Sequence, residues 1–213
     1  MDRRTLLQIF ATLGLARVDT SMAAGIDPRR QGLVRIKGEV RINGTPARTG
    51  QDVHAGDRII TGADGEAVYV IGQNAFLQRS GTEIHFDLDP ATFFRLVSGR
   101  LLSVFGKGPR YLALPTATIG IRGTACYIET TAMKTYFCLC YGTADVVPTI
   151  DPAQRETIQT HHHDHPIYIN ADPSMTTSMV PAEVMNHTDA ELEMLENLVG
   201  RKPPFDINLP GHY

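Results

Sequence analysis

The sequence predicts an all-β fold, an antiparallel β-sandwich or roll with one C-terminal α-helix. Apolar and polar residues alternate with period two over many short stretches, the pattern of half-buried strands. Turn signals rich in Gly, Asn and Asp separate these stretches at short intervals, as in sandwiches and barrels. A single helical pattern appears, near the C-terminus, so no helices intervene to build parallel βαβ units. At 213 residues, 42% hydrophobic and 20% charged, the chain can bury a core without disulfide staples. Its formal net charge of −3 argues against a surface built for nucleic acid or an anionic membrane.

Residues 1–23 read as a signal-like segment. Arg3 and Arg4 precede an apolar run from Leu6 to Ala16 that is too short to span a bilayer comfortably. Ser21-Met22-Ala23 offers small residues at a cleavage site. The paired arginines resemble a twin-arginine export signal, although Leu6 and Gln8 depart from it and Arg17 and Asp19 interrupt the approach to the cleavage site. Export to the periplasm is the expectation; the alternative is an amphipathic N-terminal helix of a cytoplasmic protein. No later stretch is apolar enough to cross a membrane.

The strands follow in order. In Leu33–Ile42, Val34, Ile36, Val40 and Ile42 share one face, and Arg35, Lys37, Glu39 and Arg41 the other. Gly38 marks a bulge or a close approach. Asn43-Gly44 gives a hairpin turn, since both residues tolerate positive φ. Further strands are expected at Arg58–Thr61, Glu66–Ile71, Glu83–Phe86, Phe94–Val97, Arg100–Phe105, Thr118–Ile121, Cys126–Thr130 and Tyr136–Tyr141. After Val147 the composition shifts. Residues 148–213 read as an extension whose first part, 148–186, drapes over the β core with one brief strand at Ile167–Ile169. The helix is expected over 189–199. Thr188 and Glu191 form a capping box, Leu192, Leu195, Leu198 and Val199 an apolar stripe, and Gly200 and Pro203-Pro204 the stop. A lone stripe of this kind docks on its own core.

Two stretches carry a likeness to a known family. One is Val53-His54-Ala55-Gly56-Asp57-Arg58-Ile59-Ile60-Thr61-Gly62-Ala63-Asp64-Gly65-Glu66-Ala67. The other is Pro115-Thr116-Ala117-Thr118-Ile119-Gly120-Ile121-Arg122-Gly123-Thr124, with Ser98-Gly99-Arg100-Leu101 between them. Together they resemble the FecR domain, a β-rich bacterial module, over about residues 33–147. The resemblance implies a stand-alone, exported, non-catalytic binding or signalling module that recognises a periplasmic protein or small ligand. FecR's cytoplasmic segment and spanning helix have no counterpart here, so its sigma-factor role is not carried over. The motif residues to weigh are Asp57, Arg122, Gly123 and Thr124. Asp57 can tie its own loop to nearby amides. Arg122 sits in an apolar strand. Its structural role would be to clamp a carboxylate, Asp57 or Glu129, or a set of loop carbonyls; its functional role would be anion or ligand recognition.

A second set of residues points to metal chemistry. Cys138 and Cys140 share a face of one strand, because side chains alternate. Four of the eight histidines crowd into Thr160-His161-His162-His163-Asp164-His165. Cys138 and Cys140 with His161 and His163 would make a Cys₂His₂ site for zinc or copper, with Asp164 as a ligand or as an orienting partner. Its use would be metal sensing, storage or structural locking. Two alternatives compete. Cys126 and Cys138 flank a turn and can form a disulfide in an oxidising compartment, or the cysteines are inert packing. Enzyme readings find little support. The chain lacks a Gly-x-Ser-x-Gly elbow, a phosphate-binding loop, a dinucleotide fingerprint and a haem-attachment motif. Asp87 and Asp89 form a carboxylate pair with no assigned separation, and Cys140 with a histidine base is the one nucleophile arrangement on offer.

Overall fold

The computed structural model describes residues 31–89 and 91–206. The signal-like segment therefore lies outside the described residues. The first half of the chain supplies β1 (Gly32–Lys37), β2 (Val40–Ile42), β3 (Thr45–Pro46), β4 (Arg58–Thr61), β5 (Glu66–Ile71), β6 (Asn74–Gln78), β7 (Glu83–Phe86) and β8 (Thr92–Val104). The second half supplies β9 (Pro109–Ala113), β10 (Ala117–Arg122), β11 (Ala125–Thr130), β12 (Lys134–Pro148), β13 (Glu156–Thr160), β14 (Ile167–Asn170), β15 (Met179–Pro181) and α1 (Asp189–Leu198). The fold is all-β with one C-terminal helix, as the alternation and the capping box predict.

Two strands organise the molecule. β8 runs for 13 residues and β12 for 15. The first part of β8 pairs with β7 and β9, and its second part with β6 and β11. The first part of β12 pairs with β11 and β14, and its second part with β10 and β13. Each long strand thus leaves one sheet and enters the other. The bends coincide with Gly99 (φ 97°) and Gly142 (φ 100°), a backbone region that disfavours a Cβ. Strands β8, β9, β10, β12 and β11 pair in a closed ring, so the expected roll is a small barrel flanked by further strands. The β8–β9 pairing is parallel, a departure from the expected antiparallel order.

The core has two compartments. The larger lies between the sheets and contains Ile59, Phe76, Phe94, Leu101, Ile119, Ile128, Phe137 and Leu139. The smaller lies on the outer face of the other sheet, where Val68, Leu77, Leu102, Val104, Tyr127, Cys138 and Cys140 meet Leu192, Leu195 and Val199 of α1. The helix therefore docks within the chain. Its N-terminus carries the full capping box, with Thr188 accepting from the Glu191 amide and the Glu191 carboxylate accepting from the Thr188 amide.

The local differences have physical causes. A bulge between Leu33 and Arg35 puts Leu33 in the larger compartment and turns Val34 toward the smaller one, so Val34 does not share a face with Ile36. Gly38 (φ 60°) separates β1 from β2, and the Asn43-Gly44 turn has both residues at positive φ, as expected. Phe94–Val97 and Arg100–Phe105 fuse into β8 because Gly99 bends the strand without ending it. The stretch 148–186 is woven into the sheets: β13 and β14 both pair with β12, and β15 pairs with β14. Its alternation is short and polar, which hides strand character when read alone.

Candidate metal centre

Cys138 and Cys140 lie two apart on β12, so both side chains reach the same, helix-covered face. Cys126 faces the other way. It stands opposite Leu139 on β12 and packs in the larger compartment. The alternative Cys126–Cys138 disulfide is therefore not formed: the two side chains occupy opposite faces, and all three cysteines are free.

The histidine loop approaches this face after β13. His163 takes a left-handed backbone (φ 52°), and its amide donates to the Cys140 carbonyl at 2.9 Å. The Asp164 carboxylate shapes the turn by accepting from the His161 amide at 2.8 Å and the His162 amide at 3.3 Å. The first of these bonds holds its pKa below the usual carboxylate range, with the second assisting. Asp164 thus orders the loop backbone and does not orient an imidazole. His187 enters from the opposite side, one residue before the helix cap. Asn186 (φ 61°) turns the chain inward there, and Arg79 donates to the Asn186 carbonyl at 3.0 Å and to the Glu191 carboxylate at 2.8 Å.

The result is a buried cluster of Cys138, Cys140, His163 and His187 whose candidate ligand atoms all lie within 4.8 Å of one another. His163 Nδ1 is 3.4 Å from Cys138 Sγ, and His187 Nε2 is 3.6 Å from Cys140 Sγ. The two imidazole nitrogens stand 3.1 Å apart. A tetrahedral zinc ion, with bonds of about 2.3 Å to sulfur and about 2.05 Å to nitrogen, needs S···N edges of about 3.6 Å and an N···N edge of about 3.3 Å. The two S···N contacts and the N···N contact lie within about 0.2 Å of those values, and the remaining separations are within 4.8 Å. Of the expected ligands, Cys138, Cys140 and His163 converge. His161 does not: it is exposed, and His187 holds the fourth position. His165 points elsewhere, 3.4 Å from the Glu156 carboxylate.

The outer contacts fix the tautomers. His187 Nδ1 lies 2.8 Å from the Met185 carbonyl, which can only accept, so that nitrogen carries the proton. His163 Nε2 lies 3.1 Å from the Asp189 carboxylate and donates to it. In the neutral rings both inward nitrogens then present lone pairs to the two cysteine sulfurs and to each other, a convergence that a thiol proton, a shared proton or a metal ion can satisfy. Asp189 also accepts from His162 Nε2 at 2.9 Å, and Tyr127 stacks on His187 with centroids 4.6 Å apart. A carboxylate behind a ligating imidazole is the usual support of a metal-bound histidine.

Charge is distributed unevenly over the thiols. A hydrogen bond from Cys140, then those from His163 and His187, outweigh burial and push the Cys138 thiol down to about 3. Burial, then the neighbouring Cys138, pushes Cys140 well up. Burial opposes charging His163, but Cys138 and Asp189 together raise it. Cys126, buried among apolar side chains, is pushed up by burial alone in the main and has no such partners. The surroundings thus favour a thiolate at Cys138, a thiol at Cys140 and a proton on His163.

The motif residues of the FecR resemblance have simpler places. Both Asp57 oxygens are engaged, accepting from Asn43 Nδ2 at 2.7 Å and the His54 amide at 2.8 Å, so Asp57 ties its own loop as expected. Arg122 is not a buried clamp on Asp57 or Glu129. Its side chain is 70% exposed and reaches Asp145 at 3.5 Å, because position 122 falls on the outward face of β10. Gly123 has φ 63°, and Thr124 is buried with its hydroxyl unpartnered among the described residues.

No family model and no curated protein matches the chain. Two solved structures, both described as "a putative anti-sigma factor from Parabacteroides distasonis", are similar, with TM-scores of 0.49 and 0.48 at 9% identity. Each alignment covers 59% of this chain and 59% of the other, so the chain spans less than two thirds of those proteins. A likeness of that size assigns neither activity nor partner.

Proposed function

We propose that this protein is a metal-binding β module in which Cys138, Cys140, His163 and His187 hold one zinc-class ion as a structural lock. The observation that carries this reading is the convergence of two sulfurs and two imidazole nitrogens within 4.8 Å of one another, with the nitrogens 3.1 Å apart and a sulfur 3.4 or 3.6 Å from each. The four ligands come from three parts of the chain: the strand β12, the loop after β13, and the approach to α1. An ion there would cross-link the C-terminal segment to the barrel, since the binding free energy of a site assembled only on folding adds to stability. Zinc suits the four-coordinate N₂S₂ set, and copper(I) is the softer competitor. The test is elemental analysis of purified protein with cobalt(II) substitution. The lock requires one ion per chain and thiolate-to-cobalt absorption that disappears in Cys138→Ser. Sub-stoichiometric metal after zinc reconstitution would overturn it.

A second reading is that the β body is a non-catalytic recognition module, as the FecR resemblance implies. It is favoured by Arg122, whose guanidinium is exposed and, among the described residues, is held by one long contact to Asp145. Arg122→Ala should change the unfolding free energy by no more than about 0.5 kcal/mol, the usual effect of an exposed pair. A large loss would return Arg122 to a structural role. The two readings are compatible, and export in the folded state would allow the ion to be loaded first.

A further inference from the structure

A cavity of about 600 Å³ opens beside the metal cluster, in the range of small-molecule sites. Its walls are Phe105, Tyr141 and Phe205, with His162 against the last at 4.3 Å between ring centroids. Gly123, from the Ile-Arg-Gly-Thr tetrad, also lines it, so a motif left unexplained by the metal centre finds a place here. The charges are one-sided. Among the described residues, Lys107, Arg201 and Lys202 line the cavity, against the single carboxylate of Glu196. That carboxylate is already taken: Tyr141 Oη donates to it, and Arg201 Nε donates to it at 2.6 Å. Arg201 Nη1 donates to the Gln73 carbonyl at 2.8 Å, while Nη2 is buried with no partner among the described residues. Neither Lys107 nor Lys202 forms an ion pair among the described residues, and both are exposed. Burial, and then the charge of Arg201, lowers the nearby Arg110.

We infer that this cavity is a binding site for a small organic anion with a flat apolar body, such as an aromatic carboxylate or sulfonate. The aromatic walls would take the ring, and the two lysines with the spare Arg201 N–H would take the charge. The site needs no metal chemistry and stands independently of the lock.

The probe is 8-anilinonaphthalene-1-sulfonate, with the uncharged N-phenyl-1-naphthylamine as its partner, titrated into the full-length folded protein. The sulfonate should bind saturably at one per chain, more tightly than the neutral amine and more weakly as salt rises. Lys107→Glu with Lys202→Glu should weaken it about tenfold. Arg48→Glu with Lys37→Glu, exposed positions outside the cavity lining, should leave it unchanged, with circular dichroism verifying the fold of both variants. Absence of one-to-one binding would overturn the inference. So would equal affinity for the neutral amine, or equal weakening by the two double variants.

Discussion

Asp189→Asn separates a metal lock from an ordinary buried polar cluster. Asp189 is the first residue of α1, is almost fully buried, and accepts from His163 Nε2 at 3.1 Å and His162 Nε2 at 2.9 Å. The amide keeps the size but loses the charge that holds the His163 proton on Nε2. Disturbing such an outer partner costs about 10- to 100-fold in metal affinity, or about 1.4–2.7 kcal/mol. Stability inherits that loss only while the ion is bound. With free zinc at about 1,000 times the dissociation constant, the ion adds about 4 kcal/mol to the wild type, and the variant keeps that less its affinity loss. In chelator the charge contributes to the helix N-terminus by about 0.3–1 kcal/mol and to the histidine pair. The assay is a competitive zinc titration against a chromophoric chelator, with denaturant unfolding in zinc and in chelator. The variant should lose clearly more stability in zinc than in chelator. An unchanged zinc affinity, or equal losses under both conditions, would refute the reasoning.

Other expected outcomes are simpler to read. Cys126→Ser should leave metal stoichiometry at wild type yet destabilise by about 1–3 kcal/mol, because it buries a hydroxyl among apolar groups; unfolding curves and metal content check both halves. Leu195→Ala removes a fully buried contact between α1 and the sheet and should cost about 2–5 kcal/mol in chemical denaturation. Thr188→Ala removes the cap beside His187 and should cost about 1 kcal/mol. Gly142→Ala places a Cβ at φ 100° and 2.6 Å from Thr124 Cγ2, so it should lower stability by at least about 1–2 kcal/mol, or prevent soluble expression.

Much of the fold is legible in the sequence because local signals agree with it. The strands at Arg58–Thr61, Glu66–Ile71 and Glu83–Phe86 keep their expected bounds, each between Gly or Asp turns, and the capping box places the helix. β6 was hidden because Asn74–Gln78 is buried on both faces and does not alternate. The strands β13 and β15 pair with the strands just before them, β12 and β14, but they are short and carry few apolar residues, so they give little strand signal of their own. The metal centre was half visible. Strand alternation puts Cys138 and Cys140 together, but the choice of imidazole rests on loop geometry: His163 turns in through a left-handed backbone that histidine seldom adopts, and His161 stays out. His187 had one available signal, its position directly before the best-defined helix cap in the chain. Arg122 faces outward because β10 alternates, although the apolar Ile119 and Ile121 beside it suggest a buried setting.

Because β8 and β12 each serve both sheets, neither sheet can open while the other stays closed. Amide hydrogens along these two strands should exchange together and last, through global opening alone. The helix with its approach segment is different: it touches the barrel through side chains, with no strand pairing of its own. It is the part that can lift away by itself, and how often it does so would depend on whether an ion is present.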